Sequence, residues 1–315
     1  MSVELKEPVL VIGLGGAGSK LAKRAKKSLD SECLTISNDN NDFSAENKSI
    51  HISTKSIINP SVQLIRGSTY QAEDEIKSEI ARYSTIILIS NLAGKAGSAM
   101  APAISDMCKE LEKTLISFAI MPFKFEKDRI FNSGITLRRL REKSECTVVL
   151  DNDSLLESNP DLNVKTCYEI GNSAMMHVIK SLKTTKISED NILTTSKDSQ
   201  KIEESLRDSL KMLYGETNPS AIKSAILYVT GGSNIPIGVI NSITNLTNGI
   251  VNESNTQVDT TSTSEESKVV MLSAVQGMRK FDSYDPLNVI PEENQLDWSS
   301  PECSIDYKLD LYQLE

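Results

Sequence analysis

A short apolar run near the start of the chain ends in a cluster of glycines, and this junction constrains the fold most strongly. Residues 8–13 (PVLVIG) are apolar and rich in β-branched side chains, which predicts a buried strand. The first glycine loop, residues 13–20 (GLGGAGSK), follows, and residues 17–29 have helical periodicity. Glycines let a backbone approach a phosphate, and a helix N-terminus adds N–H groups and partial positive charge. The junction therefore predicts a nucleotide phosphate site.

Apolar segments and helical patterns alternate along the first half of the chain. Further strands are predicted at residues 33–37, 84–90, 115–121 and 146–150, and helices at 101–115 and 164–182. This alternation predicts a parallel α/β sheet that binds its ligand at the carboxyl ends of the strands. A smaller region follows, with predicted helices at 201–214 and 236–251, strands at 225–230 and 269–275, and a solvated loop at 252–268.

The negative charge of the chain is concentrated at its C-terminal end. The 315 residues have a net charge of −9, and residues 281–315 hold nine acids and one base, a net −8. An acidic chain binds nucleic acid and anionic membranes poorly, and no apolar run is long enough to span a bilayer. Five scattered cysteines and two histidines argue for a reducing compartment and against a metal centre. We expect a cytoplasmic protein with no direct nucleic-acid or membrane partner.

The first glycine loop by itself fits two nucleotide chemistries. Gly13, Gly15 and Gly18 match G-x-G-x-x-G, and Asp39 stands 21 residues later, where a dinucleotide fold holds a ribose. An NAD-dependent oxidoreductase is therefore one alternative, although no catalytic acid–base pair accompanies the motif. The second glycine loop, residues 91–98 (NLAGKAGS), follows another predicted strand and opens another helix. Two such loops on neighbouring strands favour a triphosphate held from two sides.

The order of the motifs resembles the FtsZ/tubulin superfamily over most of residues 8–280. The first loop is similar to that family's opening glycine loop, and residues 93–98 stand where the family has G-G-G-T-G-T/S. Five more segments match in the same order: ISNDN at 36–40, MPFKFE at 121–126, NSGITL at 132–137, DNDSLL at 151–156 and YVTGGSN at 228–234.

The resemblance implies a tubulin/FtsZ-like α/β fold with four parts. The first is a Rossmann-type, parallel-sheet GTPase domain at residues 1–162, followed by a long central helix at 163–184. The third is a smaller α+β second domain with the catalytic loop at 185–280, and the fourth is an acidic C-terminal tail at 281–315.

The resemblance also implies a set of contacts to GTP or GDP, with Mg²⁺ bound through the nucleotide and no metal site of the protein's own. The implied contacts are Gly13, Gly15, Gly16, Gly18, Ser19, Asn38, Ala93, Gly94, Lys95, Ala96, Gly97, Ser98, Glu126, Arg129, Asn152, Tyr168 and Asn172. Departures from the pattern occur in the second loop, where alanines add methyl groups near the phosphates. Lys95 either replaces a lost threonine contact with a charge or faces solvent. Asn172 and Ser173 are both candidates to read the guanine, and Tyr168 to stack on it.

In this family a loop after the long helix carries an acid to the nucleotide of the next subunit. Residues 186–193 (KISEDNIL) correspond to that loop, with Asp190 on the first acidic position and Leu193 on the second. One carboxylate can still orient a water, because phosphoryl transfer depends mainly on positioning and charge compensation. We predict that Asp190 is the catalytic acid, with Glu189 as the alternative. If Asp190 is not catalytic, we expect it to cap a helix or stabilise a turn. A nucleotide-binding structural protein that has lost hydrolysis remains a further alternative, favoured by Leu193 and Ala96.

The short chain, the sparse second loop and the acidic tail together resemble the phage-encoded tubulins (the PhuZ group), whose filaments position viral DNA. The resemblance implies GTP hydrolysis coupled to polymerisation into dynamic filaments in the host bacterial cytoplasm. The partner is then the chain itself, as a longitudinal homopolymer in which the tail contacts a neighbouring subunit. A divergent prokaryotic FtsZ-like or plasmid-segregation filament protein is the alternative.

Overall fold

The structure is a computed structural model that describes residues 2–45, 47–54, 59–197, 199, 202–230, 241, 245, 256–261, 268–277 and 279–284. The strands are β1 (Ser2–Val3), β2 (Val9–Leu14), β3 (Glu32–Ser37), β4 (Lys48–His51), β5 (Thr85–Asn91), β6 (Thr114–Met121), β7 (Cys146–Asp151), β8 (Ile187–Ser188), β9 (Asp190–Thr195), β10 (Ile222–Thr230), β11 (Thr256–Thr261) and β12 (Lys268–Val275). The helices are α1 (Gly15–Leu29), α2 (Val62–Gln71), α3 (Glu73–Ile80), α4 (Lys95–Glu110), α5 (Lys127–Lys143), α6 (Asn152–Ser158), α7 (Val164–Ser181) and α8 (Ile202–Glu216). A 3₁₀ turn, Lys280–Tyr284, follows β12.

Ten of the described strands form one sheet in the order β11-β10-β12-β9-β7-β6-β5-β2-β3-β4. Strands β2 to β7 pair in parallel with their neighbours, as the alternation of strands and helices predicts. β1 pairs with β8 in a separate antiparallel ribbon. The parallel pairing brings the carboxyl ends of β2, β5, β6 and β7 to one edge of the sheet, which we call the carboxyl edge.

Helices cover both faces of the sheet, so its central strands are buried on both sides. On the α1/α7 face, Val9 and Val11 of β2 pack with the apolar residues of α1 and α7. On the α4/α5 face, Leu10 and Ile12 pack with residues of α2 to α5 and with Phe281. This double burial explains why the strands appear in the sequence as continuous apolar runs rather than as alternating ones.

The sheet continues without a break from the predicted first domain into the predicted second one. β9 pairs in parallel with β7 and antiparallel with β12, so it joins the two regions. The sequence placed residues 186–193 in a loop, yet Asp190–Thr195 is a strand with Asn191 to Thr195 buried. The reason is that β9 has a partner on both sides, which satisfies its backbone groups along its whole length.

A second difference concerns residues 252–268, which were predicted as a solvated loop. Within them, Thr256–Thr261 forms β11 and pairs in parallel with β10, and Lys268 begins β12. The threonines and valine of TQVDTT favour a strand, a preference that the polar composition of the segment obscured. The predicted helix at 236–251, apart from Asn241 and Asn245, and the tail beyond Tyr284 lie outside the described residues. Within the described part of the chain, no helix combines the length and apolar character needed to cross a membrane.

Candidate nucleotide-binding site

The two glycine loops and two further predicted segments meet at the carboxyl edge of the sheet. The first loop comprises the end of β2 and the first turns of α1, and the second runs from the end of β5 into the first turn of α4. Residues 121–126 follow β6, and Asn152 follows β7. Since these four strands are neighbours in the sheet, the tertiary structure brings together segments that are far apart in sequence.

Two glycines of the first loop are required by packing within the protein itself. A Cβ on Gly13 would lie 2.5 Å from the carbonyl oxygen of Gly18, and a Cβ on Gly18 would overlap the carbonyl oxygen of Ile89. Both glycines therefore let α1 pack tightly against β2 and β5. Ser19 is buried and its hydroxyl donates to the Gly13 carbonyl at 3.4 Å. This hydrogen bond connects α1 to the end of β2.

The other two glycines of the first loop, Gly15 and Gly16, lie next to side chains rather than next to backbone. Gly15 has φ +61°, a left-handed conformation that a side chain would strain. A Cβ on Gly15 would lie 2.8 Å from the Ala96 methyl carbon, so the two glycine loops are in contact range. A Cβ on Gly16 would lie 2.6 Å from Oδ1 of Asp42, the tip of a side chain whose Oδ2 accepts from Ser37 at 2.6 Å. Gly15 and Gly16 thus leave a stretch of backbone without side chains next to the second loop, as the close approach of a phosphate requires.

The second loop is held by its own polar contacts. The Ala93 amide donates to Oδ1 of Asn91 at 3.0 Å, and the Gly94 amide to the Asn91 carbonyl at 3.1 Å. A Cβ on Gly97 would overlap that same carbonyl. The Lys95 side chain makes its contact outside the second loop: its ammonium donates to Oδ1 of Asn59 at 2.7 Å. The Lys95 side chain is exposed, which agrees with the solvent-facing alternative, and its contact with a phosphate stays a prediction.

Helix α4 starts at Lys95 rather than at the predicted residue 101, so the second loop leads directly into it. Pro102 lies inside this helix and lacks the amide that would bond the Ser98 carbonyl. Arg66 of α2 and Thr136 of α5 donate to that carbonyl instead, at 3.3 and 3.1 Å. The N-terminal turn of α4 is therefore anchored to two other helices, which limits its movement at the site.

Glu126 and Arg129, both predicted contacts, pair with each other at one side of the site, at 2.6 Å between Oε1 and Nη1. Glu126 also accepts from the Phe123 amide at 3.1 Å, and the Arg129 side chain is 57% exposed. Tyr168 of α7 packs edge-on against the buried Phe123, and Phe125 stacks on it with ring centroids 5.0 Å apart. Sequence reasoning did not single out Phe125, although the F-x-F spacing of residues 123–125 was a signal for it.

Asn152 is buried and incompletely hydrogen-bonded. Its Nδ2 donates to the Met121 carbonyl at 3.3 Å, whereas its Oδ1 has no hydrogen-bond partner among the residues that the structure describes. Gly171 of α7 lies opposite, where a Cβ would be 3.5 Å from that oxygen. A buried acceptor without a donor is unfavourable, so the site fits a ligand that supplies an N–H group, as a nucleobase does.

Comparison with known proteins identifies the fold that places the two glycine loops side by side. Residues 66–160 match the profile described as Tubulin/FtsZ family, GTPase domain. The chain resembles an FtsZ structure from M. jannaschii with a TM-score of 0.69 and 17% identity, over 86% of this chain and 89% of that one. It has the tubulin/FtsZ fold. The TubZ of Clostridium botulinum phage c-st has a TM-score of 0.60 at 16% identity, over 89% and 96% of the two chains.

Curated relatives are similar over most of the chain. Cell division protein FtsZ 1 of Archaeoglobus fulgidus is 25% identical over 269 residues, which are 76% of this chain and 73% of that protein. Cell division protein FtsZ 2 of Halobacterium salinarum is 20% identical over 273 residues, 75% and 68% of the two chains. The tubulin/FtsZ fold confirms the predicted fold class. FtsZ and phage TubZ both share this fold, so the narrower assignment to the PhuZ group stays a prediction.

Within the tubulin/FtsZ fold, the predicted catalytic residues lie away from the glycine loops. Asp190 is paired with Thr147 at the amino end of β7, and the Glu189 carbonyl accepts from the Thr147 amide at 2.7 Å. The Asp190 carboxylate is 2.8 Å from the Arg279 guanidinium and 3.5 Å from that of Arg141. Glu189 is exposed. The opposite edge of the sheet therefore holds one acid in ion pairs and one at the surface.

The remaining predicted contacts are distributed around the site. Asn38 is half-buried at the carboxyl end of β3, and Asn172 is half-buried in the first half of α7. Asp39, the ribose ligand of the dinucleotide alternative, caps the 3₁₀ turn Asn40–Asp42 by accepting from the Asn41 amide at 2.9 Å. This capping hydrogen bond gives the Asp39 carboxylate a structural role that does not require a bound ribose.

Proposed function

We propose that this chain is a GTPase of the tubulin/FtsZ type that binds GTP between its two glycine loops and assembles into filaments. The observation that carries the proposal is the meeting of both loops, with Gly15 and Ala96 side by side, at the carboxyl edge of a tubulin/FtsZ fold. The loops offer amides and the N-termini of α1 and α4 to the phosphates, and Asn152 offers its free acceptor to the base. Mg²⁺ is bound through the nucleotide.

The identity of the nucleotide is tested by light scattering and phosphate release. Purified protein is expected to scatter more light with GTP than with ATP, NAD or no ligand, and to release phosphate at the same time. Activity per molecule should rise with protein concentration, because a site shared between subunits exists only in the polymer. Scattering that responds equally to ATP and GTP, or binding of NAD alone, would contradict the proposal.

Hydrolysis is proposed to use a carboxylate of residues 189–190 from the next subunit. These residues lie at the opposite edge of the sheet from the glycine loops, which suits head-to-tail stacking. Glu189 takes precedence over Asp190 in this proposal, because the Asp190 carboxylate is held by two arginines and Glu189 is at the surface. The alternative of a filament protein without hydrolysis predicts assembly without phosphate release.

We propose that the acidic tail contacts a neighbouring subunit, on the basis of charge. Two basic clusters of the sequence are candidates for its partner: Arg138, Arg139 and Arg141 form the first, and Lys180, Lys183 and Lys186 the second. In the first, Arg141 is tied to Asp282 and Asp190, and burial and the charge of Arg279 lower its pKa to about 10. In the second, Lys180, Lys183 and Lys186 are all exposed, and Lys186 pairs with the exposed Glu4 at 3.0 Å. This second cluster is the better partner for an acidic segment.

Removal of the tail is expected to raise the protein concentration needed for assembly. Truncation before Ser300, or Asp306→Ala with Asp310→Ala, removes negative charge that we expect to attract a neighbour. Pelleting with GTP across a concentration series, at low and moderate salt, measures the effect, which salt should reduce. The control pair Asp74→Ala and Glu75→Ala removes two exposed charges from α3 and should assemble normally. Unchanged assembly of the truncated chain in both salts would leave the tail with a solubilising role only.

The cellular role follows from where the filaments form. A phage-encoded filament that positions DNA in the host cytoplasm and an FtsZ-like division filament are both consistent with the fold, which phage TubZ and archaeal FtsZ share. A fluorescent fusion expressed in a bacterial host separates them. Filaments that carry DNA to a fixed position would support the first role, and a ring at the division plane the second.

A further inference from the structure

A buried cluster of charged side chains lies at the carboxyl end of β7, next to the candidate site. Asp151 and Glu216 are almost completely buried, with exposed fractions of 0% and 1%. The ammonium of Lys280 lies 2.7 Å from Oδ2 of Asp151, 2.9 Å from the Ser154 hydroxyl and 3.5 Å from Oε1 of Glu216. Three segments that are distant in sequence therefore meet around Lys280. They are α6 with its N-cap, the end of α8, and the 3₁₀ turn after β12.

The other charged and titratable groups around the cluster come from every element packed on it. Oδ2 of Asp153 is 3.7 Å from the Lys280 ammonium and 3.4 Å from that of Lys124, which also pairs with Glu157. Tyr284 of the turn and Cys167 of α7 are close enough for burial and the charge of Asp151 to raise the pKa of each. The nearby carboxyls of Asp151, Asp153 and Glu216 thus face the ammoniums of Lys280 and Lys124.

The balance of charges indicates that Glu216 holds a proton. Its Oε1 contacts the Ser154 hydroxyl, and its Oε2 is buried with no hydrogen-bond partner in the described part of the chain, so an ionised carboxylate would be poorly stabilised there. Burial and the charge of Asp151 raise the pKa of Glu216 well above its ordinary value. Burial alone would raise the pKa of Asp151, but hydrogen bonds from Glu216 and Lys280 lower it overall. The pair therefore holds one negative charge, on Asp151, opposite Lys280.

The cluster is connected to the candidate site by a short series of hydrogen bonds. Oδ1 of Asp151 accepts from the Asp153 amide at 2.9 Å and so caps α6, with Asn152 held between the two aspartates. Oδ1 of Asp153 then accepts from the Lys124 amide at 2.9 Å. Lys124 belongs to residues 121–126, which end at Glu126. Movement of Asp151 would thus displace both Asn152 and the segment that carries Glu126.

We propose that Lys280 and protonated Glu216 are positioning residues that hold Asn152 and residues 121–126 for the nucleotide, so that loss of the Glu216 proton weakens nucleotide binding. This inference rests on the proposed function, because it concerns the same site. A second negative charge on Glu216 would repel Asp151 and compete for Lys280. The nucleotide should bind best to the arrangement in which Asp151 alone is ionised.

The test is the pH dependence of the affinity for a fluorescent GDP analogue, measured by titration from pH 6.5 up to the highest pH at which circular dichroism shows a folded protein. Wild-type affinity should fall with increasing pH, by about tenfold for each unit by which the bound nucleotide raises the pKa of Glu216. Glu216→Gln mimics the protonated acid and should remove this dependence while keeping tight binding. Lys280→Met should weaken binding at every pH, and Lys280→Arg should restore part of it.

Arg279→Met is the matched control. Arg279 is adjacent to Lys280 in sequence and also forms an ion pair, but its partner is Asp190 at the other end of β7. It should keep the wild-type pH dependence. Wild-type affinity that does not change with pH, or a Glu216→Gln protein that follows the wild-type curve, would overturn the positioning role while leaving GTP binding intact. No nucleotide binding at pH 6.5 by a folded wild-type protein would overturn the proposed function and the positioning role together.

Thermal unfolding separates the buried proton from the bound nucleotide. The raised pKa of Glu216 means that the folded protein keeps a proton that the unfolded chain loses above the ordinary carboxyl pKa. Stability from this group is therefore complete below that value and is lost as the pH rises through the folded pKa. Glu216→Gln should flatten the profile on the alkaline side without added nucleotide, and an unchanged profile would show that Glu216 holds no proton.

Discussion

Replacement of Gly16 by valine is expected to weaken nucleotide binding on the order of a hundredfold and to leave the fold intact. Gly16 is half-buried in the first turn of α1, where the proposed site requires the backbone to approach the phosphates, so a side chain would occupy the ligand's position. Inside the protein, the new Cβ meets only the tip of the Asp42 side chain, which can rotate away. Titration with a fluorescent guanine nucleotide measures the loss, and circular dichroism during heating checks the fold.

Gly67→Val is the matched control for this experiment. Gly67 lies in α2, and a Cβ there would meet no atom within 4 Å. It carries the same change of volume and the same loss of backbone freedom, but it is away from both glycine loops. The control should bind nucleotide normally and should keep its helix, because valine has a slightly higher helix propensity than glycine, by a few tenths of a kcal/mol. Full affinity in the Gly16→Val protein would show that the first glycine loop does not hold the phosphates.

The two acids at the opposite edge of the sheet are expected to respond in different ways to loss of charge. Glu189→Gln should slow phosphate release by about a hundredfold, which is typical for loss of a general base, and should make filaments over-stable. Nucleotide binding to the monomer should persist, because the acid acts on the neighbouring subunit. Asp190→Asn should instead destabilise the fold by roughly 2 kcal/mol, since Arg279 and Arg141 lose their counter-charge. This value is below that of a fully buried pair because the Asp190 side chain is 31% exposed.

Phosphate release and melting temperature, measured on both variants, assign the roles. Glu4→Gln is the control, because Glu4 is another exposed acid beside this edge, where it pairs with Lys186 at 3.0 Å. An Asp190→Asn protein that melts normally but does not hydrolyse GTP would make Asp190 the catalytic acid, as the sequence predicted first. Normal hydrolysis in both variants would favour the alternative in which residues 189–190 have no catalytic role.

Local patterns were sufficient to predict the elements that build the candidate site. The apolar run of β2, the glycines after it and the helical periodicity of α1 are adjacent in sequence, and so are those of β5 and α4. Each of these patterns arises from the burial of residues that are close together in sequence, so a short segment of the sequence is enough to detect it. The motifs that follow β6 and β7 were recognised only by their resemblance to the FtsZ/tubulin superfamily, whereas the edge that all four segments share follows from parallel pairing.

The tertiary structure alone decided which distant groups meet. Asp190 was predicted in a loop because nothing near it in sequence shows that β7 and β12 pair with the strand it begins. Lys280 reaches Asp151 across a separation of 129 residues, and Glu216 joins them from α8. A charged residue has the same appearance in the sequence whether it is solvated or buried beside a counter-charge. Its protonation and its partners depend on the dielectric and the distances that packing creates, and these exist only once the chain has folded.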